Sequence, residues 1–350
     1  MSAQINQAAI FLLHFIKSFC MLKSMKISVI VPVYNIVSLL PGCLESLRNQ
    51  TWTDFECVCV DDGSTDGSGA VCDAYVQKDK RFSVIHQANA GLSEARNAGL
   101  KKVTGDYIFF LDGDDYIHPQ TFEMLYTFAQ QTQADVLAFS LVDTSVTYQE
   151  TTFSKLNAAD YSPVELKDPL GTFMKKRILR TGAPLKLYKK SAIADMRFYS
   201  MHYEDVPYAF QLLARFPHVW VTKAPLYYYY ANPESIMRSS FDEKKLNSYL
   251  KLFELINEER QKLPMPWRKQ AQKYVINARL KMCFNRIAKK QKDPKIQAEL
   301  LTKLQDVLPD LKARDVISYD SLNLKHACLL WMLLHRVNMK TILKFLHIMY

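Results

Sequence analysis

The sequence predicts an α/β domain with a doubly wound, mostly parallel sheet that is covered by helices on both faces. Between Ile27 and Ser140, short apolar runs alternate with amphipathic segments of helical spacing. The runs are apolar at successive positions, which is typical of strands buried on both faces of a parallel sheet. The chain has 350 residues and 49% hydrophobic content, which is enough to bury a large core.

The predicted elements follow one another in regular order. The run ISVIV predicts the first strand, and the segment after it has apolar residues at helical spacing, namely Leu40, Cys43, Leu44 and Leu47. The next pairs of strand and helix are FECVCV with AVCDAYV, FSVIH with LSEARNAGLKKV, and DYIFFL with PQTFEMLYTFAQQ, before a last strand DVLAFS. This alternation indicates parallel strands joined by helices that cover the sheet.

Three parts are predicted along the chain. Residues 1–24 form an N-terminal extension, either an over-long start or a small extra helix, because MKISVIVPVYN from Met25 onward is a natural beginning for the first strand. Their apolar run AAIFLLHFI is short and has no small-residue cleavage site, which argues against a signal peptide. The α/β domain follows at residues 25–240, with halves at 25–140 and 141–240, and residues 241–350 form a basic helical region.

The positive charge of the chain is concentrated at its C-terminal end. The net charge is +10, and residues 241–350 hold 22 Lys and Arg against 11 Asp and Glu. From Ser321 onward there is no acidic residue, while basic residues punctuate the apolar runs LLWMLL and ILKFLHIMY, namely Lys325, Arg336, Lys340 and Lys344. No segment reaches the roughly 20 apolar residues that span a bilayer.

A basic amphipathic end of this kind predicts peripheral attachment to an anionic membrane surface, at the cytoplasmic face of the cell membrane. An ordinary basic helical appendage is the alternative. Nucleic-acid binding is not expected, because no recognition module accompanies the charge. The seven cysteines are scattered and odd in number, which favours a reducing compartment over a disulfide framework. Cys57 and Cys59 share one face of a predicted strand, where packing is expected.

The stretch VDDGSTDGSG, residues 60–69, admits three interpretations from its residues alone: a calcium loop, a phosphate cradle or half of a nucleotide pocket. Counted from Asp62, its oxygen-bearing residues nearly fit an EF-hand loop. However, Asp73 stands where a glutamate is usual, and a buried strand precedes the loop. The glycines do not give the spacing of a dinucleotide-binding fingerprint.

Polar residues follow four of the predicted strands, at the edge where doubly wound sheets bind ligands. They are Tyr34 and Asn35, Asp61 and Asp62, His86 to Asn89, and Asp112 to Asp115. The carboxylates of Asp112 and Asp114 have an i, i+2 spacing that lets both face one site, and such hard oxygen ligands suit Mg²⁺ or Mn²⁺. So many carboxylates would repel a phosphorylated ligand, and the residues therefore predict a diphosphate bridged by a divalent cation. Helix capping is the alternative role, chiefly for Asp115.

In order and spacing, the motifs VPVYN, VDDGSTDGS, NAGLSEARNAGL and FLDGDD resemble those of the family 2 glycosyltransferases, enzymes of the GT-A fold that build bacterial surface polysaccharides. The resemblance is clear over residues 25–140 and continues more weakly, in LKLYKKSAI, YEDV and YYYYANPESI, to about residue 240. It implies a GT-A catalytic domain at 25–240, with a nucleotide-binding half at 25–140 and an acceptor half at 141–240.

The resemblance implies a set of contacts to the donor nucleotide. Asp62 would accept a hydrogen bond from the base, and the imide N–H of uracil fits a carboxylate acceptor best. Pro32, Val33 and Tyr34 would line the base, and Arg96 would help to fix the nucleotide. Packing is the alternative role for Tyr34, and a surface ion pair is the alternative for Arg96.

The resemblance also implies the residues of the chemistry. Asp112 would contact the ribose or the metal, and Asp114 would bind Mn²⁺ or Mg²⁺ directly. The YEDV segment makes Asp205 the general base of an inverting transferase, with Glu204 as its neighbour, and helix capping is the alternative for this pair. Lys186 would meet a phosphate, although relatives often read WNKLY where this chain has PLKLY.

The sequence therefore predicts an inverting glycosyltransferase that moves a sugar from a nucleotide-diphosphate donor, a UDP-sugar, to a glycan carried on a membrane lipid. Two alternatives of other classes remain open, a non-catalytic nucleotide- or calcium-binding module and a nucleotidyltransferase. The carboxylates at both the metal and the base positions disfavour the first. The second should carry a triphosphate loop rich in Gly and Lys or Arg near the first strand, and VPVYNIVSLL has none.

Overall fold

The computed structural model describes residues 25–350 with gaps at 177–180, 217–218, 233–239, 266, 315–316, 318 and 320–321. The predicted extension at residues 1–24 lies outside the described residues. Within them, no helix is long and apolar enough to cross a membrane.

The described chain forms one mixed sheet of nine strands. They are β1 (Ile27–Val33), β2 (Phe55–Asp61), β3 (Phe82–His86), β4 (Tyr107–Phe110), β5 (Tyr116–Ile117), β6 (Val136–Thr144), β7 (Val164–Leu166), β8 (Lys186–Lys189) and β9 (Val219–Tyr230). Their spatial order is β3-β2-β1-β4-β8-β6-β9-β5, with β7 paired to β9. The strands β1 to β4 are mutually parallel, as predicted, whereas β8 runs antiparallel to β4 and β6.

Helices connect these strands and cover the sheet. The first half contains α1 (Leu40–Arg48), α2 (Ser68–Lys78), α3 (Leu92–Lys102) and α4 (Thr121–Thr132). The second half contains α5 (Pro169–Lys176), α6 (Lys190–Ile193) and α7 (Asp205–Arg215). The C-terminal region contributes α8 (Glu243–Gln261), α9 (Trp267–Ala271), α10 (Asn277–Lys290), α11 (Pro294–Ala313), α12 (Leu324–Leu334) and α13 (Met339–Met349).

Two hydrophobic clusters lie on opposite faces of the sheet. Along β1, Ile30 belongs to one cluster, whereas Val29 and Val31 belong to the other, because side chains alternate along a strand. The C-terminal helices join the cluster of Ile30 through residues such as Phe253 and Leu330. The predicted α/β fold, with helices on both faces of the sheet and a helical C-terminal region, is confirmed.

Cys57 and Cys59 lie side by side in the core, with their sulfur atoms 3.9 Å apart on β2. In the part of the chain that the structure describes, no three side chains of His, Cys, Asp or Glu are arranged to hold a metal ion.

Candidate active site

The loop after β1 is fastened to the loop after β2 by side chains of the VDDGSTDGSG stretch. Three of these side chains accept hydrogen bonds from successive backbone N–H groups of residues 35–37. The bonds run from Asn35 to Ser64 Oγ (3.2 Å), from Ile36 to Ser68 Oγ (3.0 Å) and from Val37 to Asp66 Oδ2 (2.9 Å). Ser64 and Asp66, two of the residues that give this stretch its resemblance to a calcium loop, thus bond the backbone of the β1 loop.

Asp62 is buried after the end of β2 and holds the segment that follows β3. Its Oδ1 accepts from Gln87 Nε2 (2.7 Å) and from the Ala90 N–H (2.9 Å), and its Oδ2 accepts from the Gly91 N–H (2.7 Å). A carboxylate has about four acceptor positions, so three donors leave capacity for one more. The predicted contact of Asp62 with a nucleobase stays a prediction, and it would use this remaining position.

The residues predicted to line the base differ in exposure. Pro32 and Val33 are buried within β1, whereas the side chain of Tyr34 is half exposed at the sheet edge. The turn after β4 approaches this edge so closely that a Cβ on Gly113 would lie 2.4 Å from Ile36 Cδ1. A larger residue at position 113 would displace the end of the Ile36 side chain and crowd the Pro32 carbonyl at 3.1 Å, so glycine allows the close packing of this turn against the β1 loop.

Three carboxylates crowd the turn after β4. Asp112 and Asp114 are partly exposed, and Asp115 is buried. Burial and the charge of Asp112 raise the pKa of Asp114, and burial with the charges of Asp114 and Asp112 raises the pKa of Asp115. Like charges in one site penalise ionisation, and a divalent cation would relieve the repulsion. Asp112 and Asp114 are of the right chemical type to hold such a cation.

Residues at and beyond the end of β9 fix the positions of these carboxylates. Tyr227 Oη donates to Asp115 Oδ2 at 2.5 Å, and the Tyr230 N–H donates to Asp115 Oδ1 at 2.8 Å. The amide of Asn232 donates to Asp114 Oδ2 at 3.1 Å. Strand periodicity predicts only packing for these tyrosines, because their carboxylate partners are more than 110 residues away in the sequence.

Arg96 is a buried bridge between two carboxylates. Its Nη2 donates to Asp112 Oδ1 at 2.8 Å, and its Nη1 donates to Glu204 Oε1 at 2.6 Å. The side chain is only 3% exposed, and its guanidinium carbon lies 5.3 Å from the centre of the Phe198 ring. Arg96 therefore joins the turn after β4 to the start of α7. Its predicted contact with the nucleotide stays a prediction, whereas the contacts described here are to protein carboxylates.

Glu204 and Asp205 are adjacent but lie in different environments. Glu204 is buried and held by Arg96, and its pKa is raised by burial and by the charge of Asp205, against the opposing effect of Arg96. Asp205 is partly exposed and is the first residue of α7. Lys186 is buried near Asp205, and its Nζ donates to the Gly182 carbonyl at 2.8 Å. Arg96 and the site residues predicted for the second half, namely Lys186, Glu204 and Asp205, therefore lie close together.

Replacing Lys186 by Met is expected to change how stability depends on pH. Burial lowers the pKa of Lys186 from 10.5 to about 8, against the opposing charge of Asp205. The protonated amine therefore destabilises the fold below pH 8, and this penalty fades as the pH rises toward 10.5. Between pH 7 and about 9.5, the wild-type protein should gain about 2 kcal/mol of unfolding free energy relative to the Lys186→Met variant. Urea titrations of both proteins at the two pH values measure this difference, and a constant difference would contradict the shift.

A small open cleft with about 280 Å³ of empty space lies next to the crowded turn. Its walls include Asp114, Asp115, Tyr230 and the segment 147–149. The cleft is partly open to solvent and lies directly beside the carboxylates of the turn.

Comparison with known proteins identifies the family. A family model described as Glycosyl transferase family 2 matches residues 28–195. The chain is 32% identical over 237 residues to the putative glycosyltransferase EpsH of Bacillus subtilis, which covers 65% of this chain and 67% of EpsH. This chain belongs to glycosyltransferase family 2.

A second relative is more similar over a shorter length. The chain is 46% identical over 111 residues to the uncharacterized glycosyltransferase EpsJ of Bacillus subtilis, and this match covers 32% of each chain. The chain thus spans about a third of the length of EpsJ.

The fold is shared with a solved structure of S. aureus TarS, residues 1–349, in complex with UDP. The TM-score is 0.67 at 23% identity, and the match covers 92% of this chain and 90% of that chain. The same TarS fragment has also been solved with UDP-GlcNAc. At this identity the similarity shows the fold alone, and it confirms the predicted GT-A fold.

Proposed function

We propose that this family 2 glycosyltransferase moves a sugar from a UDP-sugar to a hydroxyl group of a glycan acceptor, with inversion at the anomeric carbon. The observation that carries the proposal is the presence of two carboxylate pairs, Asp112 with Asp114 and Glu204 with Asp205, which Arg96 joins through two short hydrogen bonds. The pairs come from opposite halves of the domain. The TarS structures with UDP and UDP-GlcNAc support a uridine nucleotide as the donor.

The first carboxylate pair belongs to the donor. Asp112 and Asp114 would hold Mn²⁺ or Mg²⁺, and oxygens of the diphosphate and of water would complete the ligand shell. When bound, the cation would stabilise the negative charge on the departing diphosphate. Tyr34 offers a half-exposed ring at the same sheet edge, and Asp62 keeps one acceptor position for the base. Arg96 keeps Asp112 oriented toward this edge.

The second carboxylate pair serves the acceptor. The acceptor oxygen attacks the anomeric carbon as the bond to the diphosphate oxygen breaks, and the electron pair of that bond leaves with UDP. The proton of the acceptor hydroxyl passes to a carboxylate, which we assign to Asp205 because its side chain is partly exposed. Glu204 is buried and already accepts from Arg96, so it positions the pair rather than receiving the proton. A single displacement of this kind inverts the configuration.

We also propose that the acceptor glycan is carried on a membrane lipid and that the enzyme works in the synthesis of a bacterial surface polysaccharide, at the cytoplasmic face of the membrane. This proposal is supported by the family and by the basic C-terminal end of the chain. It predicts that a lipid extract of the source cells will contain acceptor activity, whereas free monosaccharides will be poor acceptors.

A donor screen tests the proposed reaction. The protein is incubated with UDP-, GDP- and CMP-sugars in the presence of Mn²⁺ or Mg²⁺, and the released nucleotide is measured by chromatography. Release of UDP from one or a few UDP-sugars supports the proposal. Pyrophosphate released from a nucleoside triphosphate would indicate a nucleotidyltransferase instead. Nucleotide binding without release from any donor, with and without the lipid extract, would indicate a binding module.

Replacing Asp114 by Ala is expected to abolish the cation-dependent binding of UDP. The reason is that two carboxylates without a cation repel a diphosphate, and Asp114 supplies half of the protein's ligands to that cation. Calorimetric titration of UDP with Mn²⁺, and then with EDTA, measures the effect. Asp143→Ala, a replacement of an exposed aspartate on β6, is the control and should bind as the wild-type protein does. UDP affinity that resists both EDTA and Asp114→Ala would contradict the metal assignment.

A further inference from the structure

The C-terminal hairpin of α12 and α13 presents apolar side chains to solvent. Helix α12 buries Leu329, Leu330 and Leu333, whereas Leu324 and Trp331 are 80% and 51% exposed. Leu324 and Trp331 are seven residues apart, which places them on the same side of an α-helix after two turns. The side of α12 that points away from the core is therefore apolar at both ends.

Helix α13 continues this surface. It buries Ile342 and Leu346 against the core, while Ile348 is 79% exposed and Lys340 and Lys344 are also exposed. The ammonium group of Lys325, at the start of α12, lies 4.1 Å from the centre of the Tyr350 ring.

This contact brings the start of α12 next to the end of α13, so Leu324 and Ile348 lie at the same end of an antiparallel hairpin. Both helices also pack on α11 and against each other. We call the surface formed by Leu324, Trp331, Lys340, Lys344 and Ile348 the hairpin face.

The charged side chains of the hairpin itself are all basic. Residues 321–350 contain no Asp or Glu, and Arg336 pairs with Asp306 of the neighbouring helix α11 at 3.3 Å. Lys340 and Lys344 extend from the same side of α13 as each other, four residues apart. A surface with protruding apolar side chains, an exposed tryptophan and unopposed lysines matches the interfacial region of an anionic bilayer.

We infer that the hairpin face binds directly to an anionic lipid surface, with Leu324, Trp331 and Ile348 inserted between headgroups and with Lys340 and Lys344 against the lipid phosphates. The hairpin face would be the part of the chain that makes the membrane attachment proposed above, and this role does not depend on the donor or on catalysis. Two further occupants, a second copy of this chain and a zwitterionic lipid surface, are distinguished by the experiment.

The experiment measures partition of the full-length protein onto sedimented vesicles. Phosphatidylcholine vesicles are compared with vesicles that contain 30% phosphatidylglycerol. Binding is expected only to the anionic vesicles and should fall steeply in 0.5 M NaCl. Replacing both Lys340 and Lys344 by Gln should weaken binding about 30-fold, since each basic residue near an anionic surface contributes about 1 kcal/mol of binding free energy. The matched control replaces the exposed Lys101 and Lys102 by Gln and should not change the partition.

The apolar contribution is tested with a second matched pair. Leu324→Gln with Ile348→Gln should weaken binding about 10-fold or more, because both side chains would lose apolar burial. The control, Val164→Gln with Met265→Gln, replaces residues that are 65% and 59% exposed elsewhere, and it should bind normally. Brominated lipids should quench the fluorescence of the wild-type protein more than that of Trp331→Phe.

Three results would overturn the inference. The first is equal binding to neutral and anionic vesicles, and the second is equal loss in the hairpin and control variants. The third is a concentration-dependent dimer in sedimentation equilibrium that the Leu324→Gln, Ile348→Gln variant abolishes, because this result would assign the face to a second copy of the chain. Nucleotide release from a UDP-sugar, measured in parallel without vesicles, reports on the proposed reaction separately.

Discussion

Replacing Asp205 by Asn is expected to lower the turnover number by about 10²- to 10⁴-fold, while UDP and Mn²⁺ bind normally. A positioned general base contributes a factor of this size, and Asn has nearly the shape of Asp without the ability to take up a proton. Asp205 is chosen because it is partly exposed and because its neighbour is already bound by Arg96. Initial rates of UDP release at saturating donor, together with calorimetric UDP affinity, measure the two quantities.

Glu204→Gln is the companion variant and separates the two carboxylates. Glu204 accepts a 2.6 Å hydrogen bond from Arg96 and is buried, so its replacement should disturb the ion-pair bridge more than the proton transfer. The turnover number of Glu204→Gln should therefore fall less than that of Asp205→Asn. If Asp205→Asn keeps near-normal turnover while Glu204→Gln is inactive, the two roles are exchanged. If both variants keep their turnover, the base lies elsewhere in the chain.

Replacing Arg96 by Met is expected to lower the free energy of unfolding by about 3–5 kcal/mol. Removing one partner of a buried ion pair leaves an uncompensated charge, and here Arg96 serves the carboxylates of both Asp112 and Glu204. Burial already raises the pKa of Glu204, and without Arg96 this pKa rises further. A group with a raised pKa in the folded state loses stability as the pH rises through that pKa, so the cost of Arg96→Met should be larger at pH 8 than at pH 5.

The control is Arg215→Met, which removes another arginine with a carboxylate partner. Arg215 pairs with Asp195 at 2.8 Å, but both side chains are largely exposed. An exposed pair of this kind contributes about 0–1 kcal/mol. Adding Glu204→Gln to Arg96→Met should restore part of the lost stability, because it removes the uncompensated charge. Urea titrations that show equal costs for Arg96→Met and Arg215→Met would contradict the bridge.

The local parts of the site could be predicted from sequence. Strand ends follow directly from the apolar runs, and the Asp-x-Asp spacing after β4 predicts a pair of carboxylates at the sheet edge. The fastening of the β1 loop by Ser64, Asp66 and Ser68 is a different case. The composition of this stretch indicates a functional loop. Its residues do not distinguish metal ligands from acceptors of backbone N–H groups, since both roles require side-chain oxygens.

The long-range parts of the site could not be predicted from local pattern. Arg96 and Glu204 are 108 residues apart, and Asp114 and Asn232 are 118 residues apart. Periodicity carries no information over such distances, so the sequence gives Asn232 no role, and it gives Arg96 only the nucleotide contact that the family resemblance implies. The antiparallel strands β5 and β8 are not predicted from the sequence for another reason. β5 has two residues and β8 has four, and runs of this length show no reliable alternation.

The most direct test follows a radiolabelled sugar from a UDP-sugar donor into a lipid extract of the source cells. We expect the wild-type protein with Mn²⁺ to move the label into the lipid fraction and to release an equal amount of UDP. Asp205→Asn should move at least about 100-fold less in the same time. A protein that binds UDP with Mn²⁺ but moves no label from any UDP-sugar would contradict the proposed transfer, and full transfer by Asp205→Asn would contradict the assigned base.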